Sequence, residues 1–278
     1  MRKLSEIVRS RLGMPPPLSN VVIAGHKVTI RSGSYPAEPD YDYAWQVALA
    51  QDARVVFDIG ANQGQTALNV LLGGGVGCLV LVEANPEALA TAAENLIRNG
   101  LSSKVRFISA FLSDTCGEEL ELFVVGSGAA GSRFRSHSTT AAQSGSHIAV
   151  WTLTMDHLVE EQGISPDLVI IDVEGAEHSV LMGARKTIAL SRPRILVEMH
   201  SPEEIGGMSE NAQRVLSWCK KSEYRAWYLA EGAELLEVVQ LAHRGRCHLL
   251  LQTAELGFPE ILRGIEQGAS VTDFVRAT

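Results

Sequence analysis

The sequence predicts an α/β fold in which a mostly parallel central sheet carries helices on both faces. Three observations lead to this class: short apolar runs alternate with amphipathic segments from residue 53 onward, the first run ends at a glycine-rich turn, and two apolar runs close the pattern within 224–252. Strands that alternate with helices lie parallel, because right-handed crossovers join them over both faces of one sheet. The 278 residues, 46% of them hydrophobic, suffice for one large core.

Each element follows from its local pattern. Runs rich in β-branched and aromatic residues indicate strands, and segments with apolar residues at helical spacing indicate helices. The predicted order is strand 54–59, helix 64–72, strand 78–84, helix 86–99, strand 105–111, an interruption over 112–166, strand 167–172, helix 176–190, strand 194–200, helix 209–222 and a closing strand pair within 224–252. Ligands of such sheets bind outside the carboxyl ends of the strands, so the functional residues are expected there.

Three parts are expected along the chain. Residues 1–52 form an N-terminal extension with a short helix at 1–12, a proline-rich break and a hairpin, residues 53–255 form the main domain, and 256–278 form a helical tail. We interpret the extension as lying over the mouth of the ligand site. A dimerisation or packing arm explains it equally well, so a homodimer stays open.

Charge and composition limit the kinds of partner that the protein is expected to bind. The net charge is −8 and no run is rich in lysine or arginine, so neither a nucleic-acid partner nor a phosphate-backbone footprint is expected. A small neutral or cationic substrate fits better. The four dispersed cysteines contain no Cys-x-x-Cys pair, which predicts a reducing cytoplasm rather than a disulfide framework or zinc site. No apolar stretch reaches the about 18 to 20 residues that span a bilayer, so no membrane partner is expected.

The first strand ends at a turn typical of nucleotide sites. Glycines that separate a strand from a helix direct backbone N–H groups and the positive helix end toward a ligand. Glu83 ends the next strand, where an acid can accept hydrogen bonds from both ribose hydroxyls. The candidate cofactor contacts are Asp58, Gly60, Ala61, Asn62, Gly64, Glu83, Ala84, Asn85, Ala110 and Phe111.

Two cofactors compete for this turn, a dinucleotide and S-adenosylmethionine. An ionised Asp58 would repel the pyrophosphate of a dinucleotide, whereas it would attract the positive sulfonium and ammonium groups of S-adenosylmethionine. The spacing also departs from Gly-x-Gly-x-x-Gly, because Asn62 replaces the middle glycine. We therefore favour the methyl donor, and an NAD-dependent oxidoreductase is the alternative.

The interruption over 112–166 predicts an inserted strand pair, Leu120–Val125 with Val150–Leu153, around a glycine- and serine-rich loop. A loop of about 20 residues inside a compact domain is usually a functional lid or a disordered segment. We favour a lid, because Arg133, Arg135 and His137 are side chains that a passive linker does not need. These three are the candidate substrate contacts.

The fourth and fifth strands end in ionisable residues. Asp172 and Glu174 follow the fourth strand and His200 ends the fifth, so they are the candidate catalytic residues, with His200 as the usual proton acceptor at neutral pH. A neutral His200 bonded to the following loop is the alternative. Glu177 and His178 are expected on a helix surface. No metal is expected, because too few oxygen ligands can be placed.

Together these motifs resemble those of FkbM-type methyltransferases over about residues 53–200. The run Asp172-Val-Glu174-Gly-Ala-Glu177 is the specific part, and it occurs with the Asp58 turn, Glu83-Ala-Asn-Pro86, Thr154–Leu158 and Glu198-Met-His200. The resemblance implies a Rossmann-like fold, S-adenosylmethionine as donor bound by Asp58, Gly60, Asn62, Gly64 and Glu83, and O-methylation of sugars, polyketides or other secondary metabolites.

One position departs from that family. A lysine often stands two residues before the aspartate of the Asp-Val-Glu run, and here the position is Ile170. No lysine role in the acceptor pocket is therefore expected, and a donor-binding partner subunit without catalysis remains an alternative. The expectation from the whole sequence is a cytoplasmic O-methyltransferase that acts on a small hydroxylated metabolite.

Overall fold

A computed structural model describes residues 15–38, 40, 42–125, 131–241 and 245–274 of the chain. The described part begins with a hairpin of strands β1 (Leu18–Ile23) and β2 (His26–Arg31), followed by helix α1 (Tyr43–Ala50). The helix predicted over 1–12 lies outside the described residues. The remaining helices and strands are β3 (Val55–Ile59), α2 (Gln65–Gly73), β4 (Cys78–Glu83), α3 (Pro86–Arg98), β5 (Val105–Ser109), β6 (Phe111–Leu112), β7 (Glu119–Phe123), α4 (Thr139–Ser144), β8 (His147–Leu153), α5 (Met155–Gln162), β9 (Leu168–Ile171), α6 (Glu177–Met182), α7 (Arg185–Ser191), β10 (Arg194–His200), α8 (Gly207–Lys221), β11 (Tyr224–Tyr228), β12 (Ala233–Glu234) and β13 (Arg246–Thr253).

The central sheet has eight strands in the order β12-β11-β13-β10-β9-β3-β4-β5. Strands β3, β4, β5, β9 and β10 run parallel, and the closing pair β11 and β13 runs antiparallel. The predicted fold class is therefore confirmed. Since β3 lies between β4 and β9, the chain reverses its direction of winding there, and the carboxyl ends of β3, β9 and β10 meet at one edge.

Both faces of the sheet are covered, which explains why its strands are apolar on both sides. Successive residues of β3 enter opposite cores: Val56 packs with Trp45 and Leu68 on the face covered by α1 and α2. Phe57 packs on the other face, in the core that also holds Val180 of α6. None of the described helices is long and apolar enough to cross a bilayer.

Two predicted elements are broken in the structure. The strand predicted over 105–111 ends at Ser109, because Phe111–Leu112 leaves it to join a second sheet of order β6-β8-β7. The helix predicted over 176–190 is interrupted at Gly183, where a Cβ atom would lie 2.0 Å from the carbonyl oxygen of Ser113. Helix α7 starts anew after it, and Asp156 accepts hydrogen bonds from the amides of its first turn.

The insertion contains the predicted strand pair, seen as the antiparallel strands β7 and β8. The sequence suggested that the loop between them has no regular structure. The structure differs, because helix α4 forms there over Thr139–Ser144. Residues 126–130 lie outside the described residues. Residues 131–138, which we call the lid, run from there to α4.

The extension and the tail pack on the main domain. The guanidinium of Arg31 in β2 bonds to both carboxylate oxygens of Glu94 in α3 at 2.6 Å, which fastens the hairpin to the domain. The tail, predicted helical, contains two 3-10 turns, Glu260–Leu262 and Val271–Phe274. The indole N–H of Trp45 donates to the carbonyl oxygen of Ile265 between them at 3.3 Å.

Candidate active site

The first part of the site is the turn between β3 and α2. Gly60 has a φ of +88°, and a Cβ atom there would lie 1.7 Å from the carbonyl oxygen of Asp172, so only glycine fits. The amides of Gly60 and Ala61 donate to the carbonyl oxygen of Val82 at 2.9 and 3.1 Å. Asn62 follows with a φ of +47°. The turn is thus held against the ends of both neighbouring strands.

Glu83 at the end of β4 is oriented by the backbone. One carboxylate oxygen accepts the amide N–H of Asn62 at 2.8 Å, and the other accepts that of Asn85 at 2.7 Å. Burial raises the pKa of Glu83, and these hydrogen bonds act in the opposite direction. Each carboxylate oxygen can accept a second hydrogen bond, so both remain able to bind a hydroxyl.

A cleft of about 570 Å³ lies between this turn and the end of β4. Six residues predicted to contact the cofactor line it: Gly60, Asn62, Glu83, Ala84, Ala110 and Phe111. The other four do not line it in the described part of the chain: Asp58 and Ala61 are buried, Gly64 precedes α2, and Asn85 caps α3 by accepting an amide N–H.

Asp58 is the most unusual group near the cleft. It is 2% exposed, and among the described residues no donor reaches its Oδ2 atom. Burial raises its pKa to about 8, and the negative charges of Glu83 and Asp42 contribute in the same direction. A buried carboxyl without a partner is costly, so this position favours a ligand that brings a positive charge.

The predicted catalytic residues do come together at the ends of β9 and β10. The Nε2 atom of His200 lies 3.4 Å from a carboxylate oxygen of Glu174, 3.7 Å from Asp172 and 3.5 Å from Glu198. Burial lowers the pKa of His200, but its hydrogen bonds to Glu177 and Glu198 raise it by more than burial lowers it. The pKa of His200 therefore lies well above its ordinary value. The raised pKa disfavours the predicted role of His200 as the proton acceptor at neutral pH.

Glu177 belongs to this cluster, and its predicted place on a helix surface is wrong. Its side chain is fully buried, and its Oε1 atom lies 2.8 Å from Nδ1 of His200. Its other oxygen accepts a hydrogen bond from Asn211 at 2.9 Å. Glu177 is the first residue of α6, and helical side chains tilt toward the N-terminus, so it points back to the strand ends. His178 lies in a separate groove beside α7 and α8.

The lid contributes one of its three candidate substrate contacts. The Nε2 atom of His137 lies 2.6 Å from a carboxylate oxygen of Glu174. Arg133 and Arg135 are exposed and lie over the rings of Phe134 and Phe123, so the structure does not bring them to the cluster.

Two further contacts anchor the lid. The hydroxyl of Ser132 donates to the carbonyl oxygen of Glu174 at 2.8 Å. The ring of Phe134 packs against Gly175. A Cβ atom on Gly175 would lie 2.9 Å from a ring carbon of Phe134.

A second cavity, of about 910 Å³, adjoins the cleft and shares Gly60, Asn62, Asp172 and Glu174 with it. Its opposite wall comes from the extension and includes Asp40, Asp42 and Tyr43. Arg246 of β13 also lines it and pairs with Glu198 at 3.0 Å and with Asp40 at 3.2 Å. Asp40, Asp42, Tyr43 and Arg246 were not predicted from the sequence, since no local pattern connects them to the turn.

Comparison with protein families gives a match over most of the main domain. A family model described as the methyltransferase FkbM domain matches residues 58–226, more than half of the chain. The matched region contains Asp58, Glu83, the lid and the cluster around His200. No curated protein sequence matches the chain.

Several solved structures have a similar arrangement. The methyltransferase FkbM from Methylobacillus flagellatus is 14% identical, with a TM-score of 0.46, and the match covers 72% of this chain and 44% of that one. P. horikoshii TYW2, solved with MeSAdo, is 13% identical, with a TM-score of 0.46 and coverages of 90% and 80%. The tRNA methyltransferase TrmK of B. subtilis is 13% identical, with a TM-score of 0.43 and coverages of 77% and 66%. Likeness at this level identifies neither a cofactor nor a substrate.

Proposed function

Because the chain belongs to the FkbM methyltransferase family, we propose that it transfers a methyl group from S-adenosylmethionine to a hydroxyl of a small metabolite. The observation that carries this proposal is the pairing of an oriented Glu83 with a buried Asp58, whose Oδ2 atom has no hydrogen-bond partner among the described residues, around one glycine turn. Such a turn suits a nucleoside whose attached group is positive. S-adenosylmethionine has this combination.

The cleft suits each part of that donor. Glu83 accepts hydrogen bonds from the ribose hydroxyls with the oxygen lone pairs that the backbone leaves available. The apolar side chains of Phe111, Leu112 and Leu122 provide a surface for the adenine ring. Asp58 attracts the sulfonium and ammonium groups from behind the turn by about 3 to 4 kcal/mol at about 4 to 6 Å, for an effective dielectric constant of about 20.

A dinucleotide fits the same cleft less well. Its pyrophosphate would lie at the turn, where Asp58 and Glu83 would both repel it. A phosphate site needs the opposite charge, and the cleft is lined by Glu83, Asp172 and Glu174 without any lysine or arginine among its described lining residues. The charge of the cleft therefore supports the methyl donor over NAD.

The acceptor occupies the second cavity, which meets the cleft at Asp172 and Glu174. The hydroxyl oxygen forms its bond to the methyl carbon in line as the carbon–sulfur bond breaks, and the sulfur keeps the electron pair as a neutral thioether. Asp172 takes the hydroxyl proton, because it lines both the cleft and the second cavity, its side chain is 43% exposed, and its buried Oδ1 atom finds no hydrogen-bond donor among the described residues.

The lining of the second cavity indicates the acceptor class. Asp40, Asp42, Asp172, Glu174 and Glu198 face a single described cation, Arg246, which already pairs with two of them. Anionic acceptors such as sugar phosphates are disfavoured there, whereas carboxylates bind neutral hydroxyls and amino groups well. We therefore propose a neutral or amino-bearing polyhydroxylated metabolite, such as those of secondary metabolism, encountered in a reducing cytoplasm.

Mass spectrometry of reaction products tests this function. The protein is incubated with S-adenosylmethionine and a panel of sugars, amino sugars and hydroxylated polyketides, with sugar phosphates as an anionic control set. A product heavier by one methylene, formed by the wild type and lost in Asp172→Asn, is expected. Donor binding without any product across the panel would instead support a partner subunit that lacks catalysis, and hydride transfer to NAD would contradict the proposal.

A further inference from the structure

Three side chains from separate segments bring metal-ligating atoms together beside the cleft. His137 comes from the lid, Glu174 from the loop after β9, and His200 from the end of β10, and their ligand atoms all lie within 4.8 Å of one another. We propose that these three residues bind a divalent transition-metal ion of the Mn²⁺, Fe²⁺ or Zn²⁺ type. The sequence alone predicted no metal, because too few oxygen ligands could be placed, and it did not show that the lid histidine lies next to Glu174.

The distances between the donor atoms suit a coordination shell. With metal–ligand bonds of about 2.0 to 2.2 Å, neighbouring ligand atoms stand about 3.0 to 3.5 Å apart. The Nε2 atom of His200 lies 3.4 Å from the Glu174 oxygen. The His137 to Glu174 separation of 2.6 Å is that of a hydrogen bond, and a small rotation of the lid imidazole opens it.

A second shell already fixes the tautomer that a metal needs. The carboxylate of Glu177 lies 2.8 Å from Nδ1 of His200 and accepts a hydrogen bond from the N–H there, so Nε2 is left to face Glu174. Glu177 is itself held by the amides of Asn211 and Gly175 at 2.9 Å. Carboxylate–histidine pairs of this kind orient ligands at metal sites and raise their basicity.

The ligand types decide which ion fits. Two imidazoles with one carboxylate favour first-row transition metals, while Mg²⁺ and Ca²⁺ prefer shells made only of oxygen. Asp172 and Glu198 lie 3.7 and 3.5 Å from Nε2 of His200 and add negative charge around the same point. The site therefore concentrates negative charge near two nitrogen ligands, which suits a dication.

The role of the ion rests on the proposed function. Three protein ligands leave coordination positions open, as at catalytic sites, and Glu174 lines both the cleft and the second cavity. An acceptor hydroxyl bound to the ion would lose its proton more readily and point its oxygen at the methyl group. Because His137 is a lid residue, the same ion would hold the lid closed over the acceptor.

Metal binding is measured on the full chain after treatment with a chelator and exchange into metal-free buffer. Calorimetric titration with MnCl₂ is expected to give one ion per chain, with at least tenfold weaker binding in His137→Ala and in Glu174→Gln. His147→Ala is the matched control, because His147 also belongs to the insertion and lies 3.6 Å from a glutamate, Glu121, away from the cluster. Its affinity is expected to stay within twofold of the wild type.

Two results would overturn the inference. The first is that the wild type shows no saturable binding of Mn²⁺ or Zn²⁺, and the second is that His137→Ala and His147→Ala bind the ion equally well. Either result would mean that His200 is an imidazolium balanced by its carboxylates. If the wild type transfers methyl groups at an undiminished rate after treatment with the chelator, the ion has no role in catalysis, and the proposed function is supported. Metal binding without methyl transfer in any metal state would contradict the proposed function and leave the metal site standing.

Discussion

We expect Asp58 to make the binding of S-adenosylmethionine depend on pH. Its pKa of about 8 means that at pH 6 only about one molecule in a hundred carries the ionised carboxylate before the donor binds. If the positive donor binds the ionised form, removing the proton costs about 2.7 kcal/mol at pH 6 and about 1.4 kcal/mol at pH 7. The attraction of about 3 to 4 kcal/mol exceeds both costs, so binding releases a proton.

The expected size of the effect follows from those values. Each unit of pH below 8 weakens donor binding by up to about tenfold, and because an attraction of about 3 to 4 kcal/mol does not keep Asp58 fully ionised at pH 5.5, the dissociation constant changes about ten- to twentyfold between pH 5.5 and 7. This window is chosen because the α-ammonium of the donor stays charged throughout it. Glu83 and Asp42, the two acids that raise the pKa of Asp58, are unchanged in the test variant. Burial raises the pKa of Asp42 to about 6, inside this window, so any pH dependence that Asp58→Asn retains is subtracted from that of the wild type.

Calorimetric titration in buffers with different ionisation enthalpies measures both the affinity and the proton release. Wild-type protein is expected to release close to one proton per donor at pH 6, whereas Asp58→Asn releases none and binds with an affinity that varies less than threefold from pH 5.5 to 7. A wild-type affinity that is flat over this range would refute the assignment of the positive groups to Asp58.

The same linkage applies to folding without the donor. The folded pKa of Asp58 is raised above the unfolded value of 3.8, so the protonated form is the one that folding favours. This contribution to the free energy of unfolding is fully present below about pH 4 and is lost as the pH rises through about 8. Chemical denaturation should therefore show a fall in stability over this range that Asp58→Asn reduces.

Three further predictions concern the donor, the acceptor and the lid. Glu83→Ala should weaken S-adenosylmethionine binding by about 2 to 4 kcal/mol in a titration, because two bonds to a charged acceptor are lost, while Glu87→Ala on the exposed first turn of α3 changes it less than twofold; equal affinities would show that Glu83 does not hold the ribose. Asp172→Asn and His200→Ala should each lower the methylation rate by about 10² to 10⁴ and leave donor affinity within about threefold, and full turnover in both would move the proton acceptor elsewhere. Amides of the lid, 131–138, should exchange more slowly with deuterium when donor and acceptor are both present, and identical exchange in both states would mean that the lid does not close over ligands.

Local patterns in the sequence were sufficient to predict the central sheet and the glycine turn between β3 and α2. The apolar run of β3, its glycines and the acid at the end of β4 lie within a short stretch, and backbone preferences there determine the structure. Gly60 and Glu83 therefore line the cleft, as predicted, while Asp58 lies buried at the end of β3 behind it. The parallel order of the strands follows from the alternation with helices, and the antiparallel closing pair from the two final runs.

Other features depend on contacts between distant segments. Helix 176–190 is divided at Gly183 because the backbone of Ser113 passes against it, and no periodicity reveals that approach. Glu177 has the spacing of a surface residue, yet its position at the very start of α6 turns it toward His200. His137 reaches Glu174 only after the insertion folds over the sheet edge.

The departure at Ile170 also has a structural meaning. Ile170 is 2% exposed in the middle of β9, opposite Asp58 in the register of the sheet, and its side chain packs in the core under α1 and α2. A lysine at this position would be buried beside Asp58, so an isoleucine leaves Asp58 without a cationic neighbour.

Calorimetric titration of the wild-type chain with S-adenosylmethionine and, in parallel, with NAD tests the central claim most directly, because it measures the cofactor without requiring the acceptor. One S-adenosylmethionine per chain and no measurable binding of NAD are expected, since the cleft combines an oriented ribose acceptor with a buried acid at the turn. Saturable binding of NAD, or the absence of any heat with S-adenosylmethionine at pH 7.5, would contradict the account.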